Sequence, residues 1–425
     1  MVTHRCVPNS TNGNKEPTLK VLMCNKFYRP VGGPETIMLD TMRELKAMGH
    51  TPIPFAMEHP DNLESEYSKY FVSSVDYNGK QSRGASRLIK EAVDILYSME
   101  AKRKIERLIA DTKPDIVHAH NIYHQLSPSI FSSTRKAGIP TVLTLHDYKL
   151  LCANMLMLTH GKMCEKCAGH AFHNAVKYKC VKDSRASSMV CCVEETLHRS
   201  LRLYERGVDL FISPSHFLKD KLVQHGRLSA DKIEVLYNYA DTSSITPCYE
   251  PGQYGLFVGQ IGAHKGVYTA LEACKEISDF EIRFAGRGPL LEECVDRAEK
   301  IPNAKFIGFQ TGGDLSRLVA ESRFVFIPSE CNENCPMVVL EAFAAGKPVI
   351  GSRVGGIPEL VDHGQDGFLF EPGDVQGLVS AMRTLIDNPA LASEMGRRGR
   401  IKVEERFSIQ AHMESLLGIY SRLLG

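Results

Sequence analysis

Residues 328–348 read Pro328-Ser329-Glu330-Cys331-Asn332-Glu333-Asn334-Cys335-Pro336-Met337-Val338-Val339-Leu340-Glu341-Ala342-Phe343-Ala344-Ala345-Gly346-Lys347-Pro348. A strand ends near Pro328, a polar loop follows, and Pro336 suits the first residue of a helix, where its missing N–H has no partner to lose. Gly346 caps that helix at its far end. The amides of Met337, Val338 and Val339 then point out of a helix N-terminus that carries positive partial charge, a setting suited to phosphate. Glu333, in the loop, can reach a neighbouring sugar. Glu341, a turn and a half into the helix, can accept two hydrogen bonds from a ribose diol. Taken alone, two glutamates eight apart read more simply as an acidic loop beside an amphipathic helix, because helices commonly carry surface glutamate. The context on either side reverses that reading.

Moving outward, short apolar runs alternate with longer helical patterns, the rhythm of an α/β chain with mostly parallel sheet. Leu19 to Cys24 reads as a first strand, followed by the turn Val31-Gly32-Gly33-Pro34 and a helix from Glu35 to Met48 that Gly49 ends. A long amphipathic helix is expected from Ala85 to Ala110. Asp115–Ala119, Thr141–Leu145 and Leu210–Ser213 read as buried strands. The pattern then restarts with strand Tyr254–Val258, helix Gly266–Ile277 and strands Phe280–Ala285, Phe306–Gly308, Phe324–Ile327 and Pro348–Gly351. Tyr237 to Gln253 lacks periodicity and holds Pro247, Pro251 and Gly252, as a linker does. Two such halves form a cleft, and open α/β sheets bind ligands beyond their strand C-termini.

A chain of 425 residues accommodates two domains. Its formal net charge of +1 gives no support to a nucleic-acid partner. The polar segment Met1 to Thr18 lacks the apolar core of a signal peptide and reads as a flexible tail, and no window has the roughly 18 apolar residues of a membrane span. Thirteen cysteines without an export signal fit a reducing compartment, hence a cytoplasmic location.

The chain resembles glycosyltransferase family 4. The resemblance rests on Glu333 to Glu341 with Ala345-Gly346-Lys347-Pro348-Val349-Ile350, on Gly355-Gly356-Ile357-Pro358-Glu359-Leu360-Val361, and on Gly364, Gly367 and Pro372-Gly373-Asp374. It extends in order from Lys20 to Arg406 through Gly32-Gly33, Asp115-Ile116-Val117-His118-Ala119-His120, Thr144-Leu145-His146-Asp147, Pro214-Ser215, Phe257-Val258-Gly259, Lys265-Gly266 and Ala285-Gly286-Arg287-Gly288-Pro289. The family implies a GT-B fold, two Rossmann-like domains facing across a cleft, and transfer of a sugar from a nucleotide-sugar co-substrate with retention of configuration. The chain then divides into the polar tail at 1–18, an acceptor-side domain at 19–240 that includes a Cys-rich segment at 152–192 outside the typical family frame, a donor domain at 241–405, and a helix at 406–425 that the resemblance implies packs back on the first domain.

Carried over residue by residue, the resemblance implies catalytic roles for His120, His146, Lys265 and Glu333. Lys265 would bind the donor diphosphate as a compact charge aimed at developing negative charge. Donor binding would involve Gly32, Gly33, Gln260, Lys265, Met337, Val338, Val339 and Glu341. Gly32 and Gly33 would let backbone amides approach a ligand. Neither Gly32-Gly33 nor Gly286-Arg287-Gly288-Pro289 has the G-x-G-x-x-G spacing of a dinucleotide fingerprint. The family commonly has arginine where this chain has Gln260, so diphosphate binding is weaker here or Arg287 compensates. His120 would face the sugar and acceptor, with His146 nearby, and its neutral ring can donate to a sugar hydroxyl or shuttle a proton.

No two aspartates in the chain are separated by a single residue, the arrangement that metal-dependent sugar transferases share, so no metal cofactor is expected at the reaction centre. Cys152, Cys164, Cys167 and Cys180 are a separate matter. Their central C-x2-C is a zinc-ligand spacing, and the outer two could complete a structural tetrahedral site. Free, partly buried thiols and a redox role are the other readings. Lys102-Arg103-Lys104 with Arg107 form either a solvated helix face or a peripheral contact with anionic lipid on the inner membrane face. The expected activity is therefore metal-independent transfer onto a glycan or lipid-linked acceptor in surface polysaccharide or glycoconjugate synthesis. A nucleotide-sugar epimerase on the same fold and a catalytically silent sugar-binding subunit are the alternatives.

Overall fold

A computed structural model describes residues 18–74 and 92–425. The expected tail and the first part of the expected long helix lie outside them. The first half forms β1 (Lys20–Cys24), β2 (Thr51–Phe55), β3 (Ile116–Ala119), β4 (Thr141–Thr144), a two-stranded ribbon β5 (Leu158–Thr159) and β6 (Lys162–Met163), then β7 (Leu210–Ser213) and β8 (Ile233–Val235). The second half contributes β9 (Tyr254–Val258), β10 (Glu281–Ala285), β11 (Ala304–Gly308), β12 (Phe324–Ile327), β13 (Val349–Ser352) and β14 (Gly367–Phe370).

These make two six-stranded sheets, in the orders β2-β1-β3-β4-β7-β8 and β11-β10-β9-β12-β13-β14, and every pair within them is parallel. Parallel strands are covered by crossover helices on both faces, which is why they read as unbroken apolar runs. In Val21 to Cys24 and Phe324 to Phe326 no residue has measurable exposure. Each sheet is doubly wound about an inner strand, so the chain reverses its direction of winding between β1 and β3 and again between β9 and β12. Ligands bind such sheets in the crevice beyond the strand C-termini at that reversal.

The sequence reading missed β2, β8 and β14 of the two sheets and the β5–β6 ribbon. Thr51-Pro52-Ile53-Pro54-Phe55 carries two prolines, which weaken a strand signal; β2 is an edge strand, where a missing N–H is tolerated. The long helix is also corrected. Residues 92–96 are helical, 97–98 are not, and a new helix starts at Met99 with the Ser98 side chain accepting from the Ala101 amide. A side-chain cap competes with helix continuation at that point, whereas the apolar period reads straight through it.

The last helix, Ile409–Leu424, returns to the first domain after its Ser408 cap. Met413, Leu416, Ile419 and Tyr420 pack with Val21, Met23, Ile116, Val142 and Ile212 of the first sheet. The Tyr420 hydroxyl lies 2.6 Å from His118 Nδ1. Next to it, the linker is clamped where Ala240 N donates to Phe407 O at 2.9 Å and Tyr239 Oη donates to Ile37 O at 3.1 Å.

Candidate active site

Lys265 follows β9 and Glu333 follows β12, the two strands at the winding reversal of the second sheet. Topology thus brings together residues 68 apart: Lys265 Nζ donates to Glu333 Oε1 at 2.5 Å, and Ser329 Oγ donates to the same oxygen at 2.6 Å. Burial works against both charges. Even so, Glu333 and Cys331 hold Lys265 above its ordinary pKa, and Lys265 with Ser329 holds Glu333 below its own. The turn carrying Lys265 is tight. Gly266 sits at φ +71°, and a Cβ there would lie 1.7 Å from the Pro328 carbonyl oxygen, which binds the Lys265 turn to the end of β12.

The adjoining helix runs from Met337 to Ala344, so Pro336 is its N-cap rather than its first residue. Of the three amides expected to be free, that of Val339 donates to Pro336 O at 3.1 Å. The Met337 and Val338 amides make no hydrogen bond with the described residues. Gly346, at φ +74°, terminates the helix as expected. The Glu341 carboxylate forms no hydrogen bond or ion pair with the described residues, and burial raises its pKa. The helix that follows the Glu333 loop therefore carries two open donors and one open acceptor.

Gln260 is exposed just after β9. The neighbouring Arg287 loop is joined to it, with Ile261 N donating to Arg287 O at 3.0 Å. Arg287 itself lies over the Phe309 ring, 4.4 Å from its centroid. A guanidinium is thus within one loop of the position where Gln260 supplies no charge.

Across the cleft, Gly32 and Gly33 follow β1, and His120 follows β3, at the winding reversal of the first sheet. A Cβ on Gly33 would lie 3.6 Å from Met337 Cγ, so this turn faces the N-terminus of the donor-side helix. Gly32 has extended backbone (φ −164°), and neither glycine lies in the left-handed region. What they provide is open space rather than an unusual conformation.

The histidines form one stacked column: His118 on His120 with centroids 4.4 Å apart, and His120 on His146 at 5.2 Å. His120 Nδ1 lies 2.9 Å from His146 Nε2, so one ring donates and the other accepts. Burial, and then neighbouring positive groups, lower all three pKa values, to about 3 for His118 and His146. All three are neutral at pH 7. His120, expected to face the sugar, lies just beneath the surface. It is 1% exposed, and its Nε2 is buried without a hydrogen-bond partner, while His146 is the partly exposed ring. His120 is thus joined through its Nδ1 to the outer ring, His146.

Two residues were not singled out from sequence. Tyr148 has a buried hydroxyl without a hydrogen-bond partner; burial and the nearby Glu333 raise its pKa. Asp147 accepts from Tyr123 Oη and from Lys149 N, both at 2.9 Å, which fixes the loop after β4. Both belong to the quoted His146-Asp147 motif or adjoin it, but only the fold shows Tyr148 reaching toward the other domain.

The four cysteines, expected as a structural zinc site, converge, with no three of their Sγ atoms all within 4.8 Å of one another. The Cys152 thiol is drawn down to about 7 by the Cys167 thiol beside it, and Cys180 Sγ lies 3.4 Å from Thr159 Oγ1. Among the described residues, the one group of three candidate ligand atoms all within 4.8 Å of one another is His124, Cys191 and Glu194. There the buried Lys149 ammonium, 2.7 Å from Glu194 and 2.9 Å from Glu195, already supplies the compensating charge. In the basic cluster, Lys104 turns inward to Glu100 at 3.1 Å and to Glu58 at 3.4 Å, which leaves Arg103 and Arg107 as its exposed members. No helix among the described residues is long and apolar enough to cross a membrane.

Family models match the chain in two blocks: Glycosyltransferase Family 4 over residues 31–244, and Glycosyl transferases group 1 over residues 246–402. The chain belongs to glycosyltransferase family 4. Among curated relatives, this family 4 chain is 25% identical over 408 residues to an uncharacterised glycosyltransferase of Methanocaldococcus jannaschii, covering 95% of this chain and 99% of that one. It is 31% identical over 227 residues to a glycogen synthase of Mycobacterium tuberculosis (51% and 54%). It is 29% identical over 221 residues to the sulfoquinovosyl transferase SQD2 of Arabidopsis thaliana (48% and 43%). Two solved structures share its fold. The sucrose-phosphate synthase of Thermosynechococcus elongatus has a TM-score of 0.69 at 17% identity, covering 95% of this chain and 99% of its own. Anabaena HepE in complex with UDP has a TM-score of 0.65 at 18% identity, covering 95% and 100%. The fold is GT-B, and the family 4 protein is a glycosyltransferase.

Proposed function

We propose that this family 4 enzyme transfers a sugar from a nucleotide-sugar donor to a glycan or lipid-linked acceptor, with retention of configuration and without a catalytic metal. The supporting observation is the Lys265–Glu333 pair at the sheet reversal, followed by a helix with the open Met337 and Val338 amides and the unpartnered Glu341 carboxylate. HepE, which shares this fold, was solved in complex with UDP, which supports a nucleoside diphosphate as part of the donor.

In the resting enzyme Glu333 neutralises Lys265. On donor arrival the Lys265 ammonium exchanges the carboxylate for the diphosphate, and Glu333 is released to the hydroxyls of the donor sugar. Glu341 takes the ribose diol. As the bond from the anomeric carbon to the diphosphate oxygen lengthens, negative charge grows beside Lys265 and the two amides, where fixed donors stabilise it most. Retention requires the acceptor oxygen to approach on the face the diphosphate leaves. The departing oxygen is then next to the acceptor proton and can accept it. His146, held neutral and oriented by His120, binds a hydroxyl on the acceptor side. Domain closure over the pair excludes water.

Lys265, two helix amides and Arg287 provide positive potential at the diphosphate, the role a metal has in other transferases. A thermal-shift screen against nucleotide sugars tests the donor assignment. A cognate donor at about 100 times its dissociation constant adds roughly 2.7 kcal/mol of stability. Anomeric analysis of the product tests retention, and transfer at unchanged rate in chelator tests metal independence.

A further inference from the structure

Gly355-Gly356-Ile357-Pro358-Glu359 has no part in the chemistry above, yet its contacts cross the cleft. The acceptor-domain helix His216–Gln224 begins at Ser215, whose hydroxyl accepts from the Leu218 amide at 3.2 Å. The next orphan donors of that terminus find their acceptor in the other domain. Glu359 Oε2 accepts from His216 N at 2.8 Å and Oε1 accepts from Phe217 N at 2.7 Å. Oε2 also accepts from the Tyr237 hydroxyl of the interdomain segment, at 2.9 Å. A bidentate carboxylate on a helix N-terminus joins charge-assisted hydrogen bonds to a favourable helix dipole.

The other end of the motif rests on the catalytic loop. Gly356 N donates to Glu333 O at 2.7 Å. A Cβ at Gly355 (φ +57°) would lie 2.1 Å from Glu333 O, and one at Gly356 would lie 1.9 Å from Asn334 O. Only glycine lets this turn lie on the backbone of Glu333 and Asn334. The same loop is held from the acceptor side by Asn238 Nδ2, which donates to Cys335 O at 2.9 Å.

We propose that Glu359 is a cross-domain positioning residue, whose carboxylate caps an acceptor-domain helix and so fixes the Glu333 loop in register with the acceptor side of the cleft. The assignment deepens the function proposed above and rests on it for its catalytic consequence. Glu359 touches neither sugar nor diphosphate, so it acts through geometry: Lys265, Glu333 and Glu341 lie in one domain, while transfer needs both.

Glu359→Ala is therefore expected to bind UDP within about twofold of wild type by calorimetry, because that site is intact. Nucleotide release from UDP-glucose is expected to fall tenfold or more, as kcat rather than KM. Small-angle scattering of the ligand-free protein should show a larger radius of gyration, and hydrogen exchange should show faster exchange at residues 216–217. Glu359→Gln, which keeps one carbonyl acceptor, should recover part of each effect, and Tyr237→Phe, which loses one of three donors, should have the smallest. If the alanine variant does not fold, the glutamine variant and Tyr237→Phe carry the same comparison. Wild-type scattering together with nucleotide release within threefold would overturn the proposal. So would a parallel loss of UDP affinity, which would place Glu359 in the donor pocket itself. Should the wild type release no UDP from UDP-glucose, that donor is excluded, while scattering and exchange still judge the cross-domain contact.

Discussion

Replacing Lys265 with alanine tests the centre of the proposed chemistry. Lys265 Nζ lies 2.5 Å from Glu333, in a pair whose side chains are 27% and 13% exposed, so solvent screens it only in part. Two effects follow. The first is kinetic: a charge removed from beside a developing anion costs about 3 kcal/mol of transition-state stabilisation, or about 100-fold in turnover at 1.36 kcal/mol per factor of ten. The second concerns protonation. Burial pushes the Glu333 carboxyl up, and the lysine is what overrides that push. Without Lys265 the carboxyl titrates above its wild-type position, so the acid limb of the pH–rate profile moves to higher pH. The linkage signs agree. The depressed Glu333 adds stability above its unfolded pKa of about 4.3, lost as pH falls through the folded value. The raised Lys265 adds stability below about 10.4, lost as pH rises through its folded value. The assay is steady-state nucleotide release across this range for wild type, Lys265→Ala, Glu333→Gln and the double variant. The double variant should lose less than the product of the two single losses, because the residues act as one unit. A fall of less than about threefold with an unmoved acid limb would refute the argument and assign the diphosphate to another cation, for which Arg287 is the candidate.

Other expectations follow from individual residues. Glu341→Ala should weaken nucleotide binding more than it lowers kcat, because a ribose diol is held equally before and during the reaction; calorimetry with UDP beside steady-state kinetics separates the two. Met337→Pro should keep the fold, since Pro336 already has the extended ψ of 118° that a following proline requires. It removes one open amide, and UDP affinity should fall about tenfold, the scale of a hydrogen bond to a charged group. Buried neutral histidines bind fewer protons than unfolded ones. Stability should thus be fully present above pH ~6.5 and decline as pH falls toward the folded values of about 3 for His118 and His146. Melting temperature against pH should accordingly be flatter between these limits in His146→Gln.

Much of this enzyme is legible in its sequence. β7, β9 and β12 match their expected bounds, because parallel strands buried on both faces must be continuous apolar runs bounded by polar turns. The donor-side helix and its Gly346 terminus are equally local, since capping chemistry is decided within a few residues. Lys265 and Glu333 could be named from motif order alone. That they touch follows from a topology that brings the ends of β9 and β12 together. Other features belong to the tertiary structure only. Pairing His216 and Phe217 with Glu359 spans up to 143 residues, and His118 meets Tyr420 across 302. The burial of His120 behind His146 depends on what packs over the strand ends, and the approach of the four thiols to one another depends on the path of a long segment between β4 and β7. A sequence records which groups are available and what each local stretch prefers. Which of them meet, and which stay shut from solvent, is set by long-range packing, where burial decides both protonation and reach.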